Sequence, residues 1–86
     1  MVEIQEIVDA SNKKNGGKEG ANKYTLNSMK EHAKEIEELF LKKDEHWEAE
    51  CADMMIHCLC LFKREEIGEM KVLELGEKEG EIFGKD

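Results

Sequence analysis

Apolar residues along this chain recur three and four positions apart and nowhere alternate with polar ones as in a strand, so the pattern predicts helices throughout. Ile4, Ile7 and Val8 set the inner face of a first helix from Val2 to about Lys14, and the Asn15-Gly16-Gly17 breaker ends it. The polar stretch from Gly17 to Tyr24 carries no such face and is expected to be a loop. A second helix follows, capped by Thr25 or by Ser28 with Glu31 at capping-box spacing, and runs to Lys42 or Lys43 with Met29, Ala33, Ile36 and Phe40 inward. Asp44 is placed to cap a third helix from Glu45 to about Glu66, joined to the second by a tight turn. Gly68 breaks the chain again. Glu69 to Phe83 then forms a last helix, weakened by Gly76 and Gly80, each costing roughly 1 kcal/mol against alanine. With no proline present, glycines and caps are the only punctuation.

The expected fold is therefore all-α, a bundle-like arrangement of four helices in a single domain over residues 1–86. A chain of this length builds a modest core. The third helix, with Trp47, Met54, Met55, Ile56, Leu59, Leu61 and Phe62 around most of its circumference, is expected to pack on its own protomer and on a partner, giving a homodimer or homotetramer. The net charge of -8 and the 40% of charged residues argue against a nucleic-acid backbone or an anionic membrane as partner, and an anionic ligand must arrive with its own cations. No run approaches the roughly 18 apolar residues of a membrane span, and MVEIQEIVD lacks a basic region followed by a hydrophobic one, so a cytoplasmic protein is expected. Cys51, Cys58 and Cys60 are odd in number, share one helix and lack zinc-knuckle spacing, which suits packing residues in a reducing compartment.

Within the apolar third helix, successive turns of about 100 degrees per residue align His46, Glu50, Asp53, His57, Cys60 and Arg64 in one narrow stripe. Carboxylates along the flank of a buried helix are costly unless something positive meets them. Glu35-x-x-Glu38 on the second helix and Glu50-x-x-Asp53 on the third each set two carboxylates one turn apart, and the tight turn makes these helices antiparallel neighbours. At a separation of about 5 Å and an effective dielectric near 20, each like-charge contact costs on the order of 3 kcal/mol, a penalty that a divalent cation removes. Carboxylate ligation points to Mg²⁺, or Mn²⁺, more than to zinc.

Glu35-Ile-Glu-Glu38-Leu followed by Glu50-Cys-Ala-Asp53 resembles the E-x-x-E and E-x-x-D signature of the MazG-like, all-α nucleoside triphosphate pyrophosphohydrolases. The helix order resembles theirs over nearly the whole chain, through to Ile82-Phe83-Gly84. The resemblance implies that Glu35, Glu38, Glu50 and Asp53 hold Mg²⁺, that the substrate is a nucleoside triphosphate, and that water splits it to a nucleoside monophosphate and pyrophosphate, clearing unwanted nucleotides from the pool. Glu35 or Glu38 would accept the water's proton. Asn12, His57 and Lys78 are the candidate substrate contacts. For Asn12 the ordinary reading is a turn at a helix end; for His57 it is a hydrogen bond inside the bundle.

The chain departs from the family's pattern in three places. Lys34 stands where the family writes a leading Glu, Cys60 stands where many members have Asn, and Glu74, Glu77, Glu79 and Glu81 outnumber Lys71, Lys78 and Lys85 near the end. These departures favour an alternative, a catalytically impaired MazG-like module for helical oligomerisation or regulation. A di-iron carboxylate bundle is disfavoured because no histidine has Glu three residues before it: Met29, Lys43 and Met54 stand there instead.

Overall fold

The computed structural model describes residues 2–79, and within them it is helical, with α1 (Ile4–Lys14), α2 (Lys18–Leu41), α3 (Trp47–Arg64) and α4 (Glu69–Glu79) and no strand. The expected end of the last helix at Ile82 and Phe83 lies outside the described residues. Among the described residues no helix is long and apolar enough to cross a membrane.

α2 and α3 form an antiparallel hairpin. Its register is legible from side-chain pairs that step down one helix as they step up the other: Phe40 on Trp47, Glu35 beside Glu50, His32 against Asp53, Thr25 on Arg64 and Asn22 on Glu65. α1 lies across the open end of this hairpin and packs on both helices. Val8 of α1, Ala21 and Thr25 of α2, and Cys60 and Arg64 of α3 are buried there, so the centre of the core sits far from the α2–α3 turn. α4 makes no close backbone approach to the other three helices among the described residues, and Met70, Leu73 and Leu75 on it are exposed.

The expected loop from Gly17 to Tyr24 is instead the first quarter of α2. Hydrophobic periodicity missed it because its inward positions are filled by Ala21, Asn22 and Thr25, which are small or polar residues that tertiary contacts hold in place. Glycine makes the sharp entry possible. Gly16 and Gly17 have φ of 76° and 123°, and a Cβ on Gly20 would collide with the backbone carbonyl of Asn15.

Three helices close with the same pair of backbone bonds, or one of the pair, that a left-handed residue permits. Gly17 donates to the Asn12 carbonyl at 2.7 Å, Asp44 to Leu39 at 3.0 Å and Ile67 to Phe62 at 2.8 Å. The left-handed residue is glycine only in the first case; Lys43 (φ 60°) and Glu66 (φ 56°) take it in the others. This is why glycine alone did not mark the ends of α2 and α3. Asp44 does not cap α3 directly. Its Oδ1 accepts the His46 amide at 2.9 Å, which shapes the turn ahead of the helix. Ser28 falls in the interior of α2, so the Ser28–Glu31 capping box does not form.

Burial is thinner than the helical stripes imply. Ala33 and Phe40 on α2 and Met55 and Leu59 on α3 are exposed in the single chain, while Met29, Ile36 and Trp47 are half-buried. Phe40 and Trp47 meet edge to face at 5.3 Å across the turn. Cys51, Cys58 and Cys60 are free thiols. Burial pushes the Cys60 thiol above its ordinary value, against the pull of Arg64.

Candidate metal centre

Midway along the hairpin, the antiparallel register brings one turn of α2 opposite one turn of α3. His32 and Glu35 share a face of α2 at a spacing of three; Glu50, Asp53 and His57 share a face of α3 at spacings of three and four. Where the two faces meet, the imidazole of His32 lies between both α3 carboxylates. Its Nδ1 is 2.5 Å from Glu50 Oε2 and its Nε2 is 2.8 Å from Asp53 Oδ2. His57 stacks on the His32 ring with centroids 5.3 Å apart and sets its Nε2 3.9 Å from the same Asp53 oxygen. Tyr24 and His57 lie edge to face with centroids 6.5 Å apart, and His46 Nε2 stands 3.7 Å from Glu50 Oε1.

The electrostatics follow from this crowding. The contact with Glu50, by shared hydrogen bond and by like charge, holds the Glu35 carboxyl above its ordinary value. Glu50 is held below its own, first by the hydrogen bond from His32. Burial lowers the His57 value, against the attraction of Asp53, which favours the neutral ring at physiological pH. A neutral imidazole has one N–H and one lone pair, so His32 can donate to both carboxylates only as a doubly protonated ring.

Two overlapping sets of three side chains bring one ligand atom each within 4.8 Å of one another: His32, Glu35 and Glu50, and His32, Asp53 and His57. Of the four acids singled out from sequence, Glu35, Glu50 and Asp53 belong to these sets. Glu38 belongs to neither; it lines a shallow neighbouring hollow of about 270 Å³ with Glu31, Lys34 and Glu35. His57 is part of the centre. Asn12 is remote from it, on α1, where its Oδ1 accepts from Arg64 Nε at 3.1 Å, and Lys78 is exposed on α4.

The residue that sequence reasoning missed is His32. Its signal was present as His32-x-x-Glu35, the reverse of the Glu-x-x-His order that di-iron bundles use, and it acquires meaning only when α2 and α3 are set in register. The donors fit a divalent cation. Carboxylates pressed together from two helices gain by sharing a positive charge, and imidazole beside carboxylate moves the preference from Mg²⁺ toward Mn²⁺ and other borderline ions. Set against family models, curated proteins and solved structures, the chain finds no match in any of the three.

Proposed function

We propose that this chain is a metal-dependent nucleoside triphosphate pyrophosphohydrolase, releasing a nucleoside monophosphate and pyrophosphate and so clearing unwanted nucleotides. The observation that carries the metal part is the convergence of Glu35, Glu50 and Asp53 from adjacent helices on one imidazole, His32. The reaction itself rests on the resemblance of Glu35-x-x-Glu38 and Glu50-x-x-Asp53 to the MazG-like signature. His32, Glu35 and Glu50 would hold Mg²⁺ or Mn²⁺, and Asp53 with His57 forms a second ligand set on the other nitrogen of the His32 ring. The bound ion supplies charge neutralisation for the triphosphate and acidifies a water.

The protein's own part is proton transfer and positioning. Glu35 or Glu38 would accept the water's proton, and of the two it is Glu35 that meets Glu50 across the hairpin. Glu38, in the adjoining hollow, is left to contact water or phosphate oxygens from the side. We take the active form to be a homodimer or homotetramer that covers the exposed Phe40, Met55 and Leu59, in a reducing cytoplasm that keeps the three thiols free.

A second reading is favoured by one observation: His32 already bridges both α3 carboxylates without a metal, an arrangement that serves a scaffold as well as an enzyme. Pyrophosphate release from a panel of nucleoside triphosphates, with Mg²⁺ and Mn²⁺ supplied separately, distinguishes the two. Turnover that disappears in Glu50→Gln/Asp53→Asn, together with loss of metal-induced thermal stabilisation, supports the enzyme. Metal stabilisation without turnover supports the scaffold. An unchanged unfolding temperature with either ion overturns the metal centre itself.

A further inference from the structure

Arg64 is 7% exposed, and among the described residues no carboxylate pairs with its guanidinium. All its partners are neutral: Asn12 Oδ1 at 3.1 Å, Asn22 Oδ1 at 3.2 Å, Thr25 Oγ1 at 2.9 Å and Ser11 Oγ at 3.0 Å. A buried cation held only by neutral acceptors is unusual in any fold, and more so in a chain of net charge -8. Acidic side chains were available in number, and among the described residues none pairs with Arg64.

Arg64 also lines a hollow of about 560 Å³, whose wall includes Gln5, Val8, Asn12, Lys18, Lys63 and Ile67. Arg64 and Asn12 belong to that wall, whereas Ser11, Asn22 and Thr25, which also hold Arg64, do not. Three cations therefore surround one space. The carboxylates nearby are Glu66 in the wall and Glu65, which is 3.0 Å from Lys18 Nζ and accepts from Asn22, leaving a positive excess. Gly68 also lines the hollow, immediately before α4, so that the amide end of a helix opens at its rim.

We propose that this hollow binds a small phosphate-bearing anion of about the size of a nucleoside monophosphate, with Arg64, Lys18 and Lys63 meeting the phosphate. Four of the five guanidinium N–H groups are taken by the neutral acceptors, and the remaining Nη2 N–H beside two ammonium groups suits a phosphate dianion. The volume exceeds what a bare phosphate fills and lies in the range of small-molecule sites, and the half-buried Ile67 gives the organic part apolar surface. Arg64 lies eleven residues beyond Asp53 on α3, about 16 Å along the axis, so this site is separate from the carboxylate–histidine centre and does not depend on it.

The test uses the full chain in EDTA at constant ionic strength, which silences the metal centre. Inorganic phosphate, AMP and adenosine are titrated in turn, with unfolding temperature and calorimetry as readouts. Stabilisation by phosphate or AMP, absent with adenosine, weakened at least tenfold in Lys18→Gln/Lys63→Gln and retained in Glu50→Gln/Asp53→Asn, supports the site. Both lysines are exposed, so the double variant is expected to fold. Absence of any effect of phosphate and AMP at millimolar concentration, equal binding of adenosine, or undiminished binding by the lysine variant overturns it.

Discussion

Thr25→Val replaces a side chain that is 1% exposed by one of the same shape, and the change it makes is confined to one acceptor. The Thr25 Oγ1 accepts from Arg64 Nη1 at 2.9 Å, a hydrogen bond with an ionised donor in a buried setting. Bonds of that kind contribute roughly 1.5–3 kcal/mol, and the loss leaves a guanidinium N–H without a partner. The new methyl regains about 0.8 kcal/mol by burial. The two β-branched residues have similar helix propensities, so the net cost is about 1–2 kcal/mol. For a domain of this size that lowers the unfolding temperature by roughly 5–15 °C, readable by far-UV circular dichroism and by urea titration without metal. The attribution to Arg64 has its own check. In an Arg64→Met background the same Thr25→Val change is expected to be neutral or stabilising, because the donor has gone. A valine variant within about 0.5 kcal/mol of the parent, or an undiminished cost when Arg64→Met is already present, refutes the claim that this bond ties α2 to α3.

Two further outcomes follow from particular contacts. Gly20→Ala drives a Cβ into the Asn15 carbonyl and is expected to destabilise by about 2 kcal/mol or more despite alanine's better helix propensity, measured by urea unfolding; a stabilised variant would mean that α1 and α2 do not meet as described. Glu50→Gln should act in two directions. Glu50 is held below its ordinary value of 4.5, so its ionised contact with His32 contributes stability above that value and loses it as pH falls below; the variant is expected to unfold with a shallower acid limb. Glu35 is raised, so its contribution has the opposite sign, present at low pH and lost as pH rises above 4.5; removing Glu50 should return the Glu35 carboxyl toward 4.5, followed by carbon-13 NMR titration. A Glu35 titration that stays put in Glu50→Gln would show that the two carboxyls do not meet.

The comparison between letters and structure is most instructive at the α2–α3 hairpin. The spacing of Glu35, Glu50, Asp53 and His57 places each on a known face of its own helix, because a helix of fixed pitch maps sequence separation directly onto direction. Pairing is another matter. A single turn of slip between the helices would set Glu38, rather than Glu35, opposite Glu50. The register is fixed by the left-handed Lys43 and the Asp44–His46 turn, whose residue types give little warning of it. His32 stayed invisible for the same reason, since a polar residue on an acidic helix face has no meaning until the opposite face is known.

The sequence by itself determined the helical class, α1 and α3 to within a turn at both ends, the start of α4, the tight α2–α3 turn and two faces of carboxylates. These are local properties, set by periodicity and by glycine, and a short window of residues contains them. Tertiary structure alone decided that residues 18–24 extend α2, that His32 bridges Glu50 and Asp53, that Glu38 stands aside, and that Arg64 is buried among neutral acceptors facing an open hollow. Each of those depends on groups far apart in the chain meeting at a distance of a few ångströms, and the energy of a charge or a polar contact is settled by its neighbours in space.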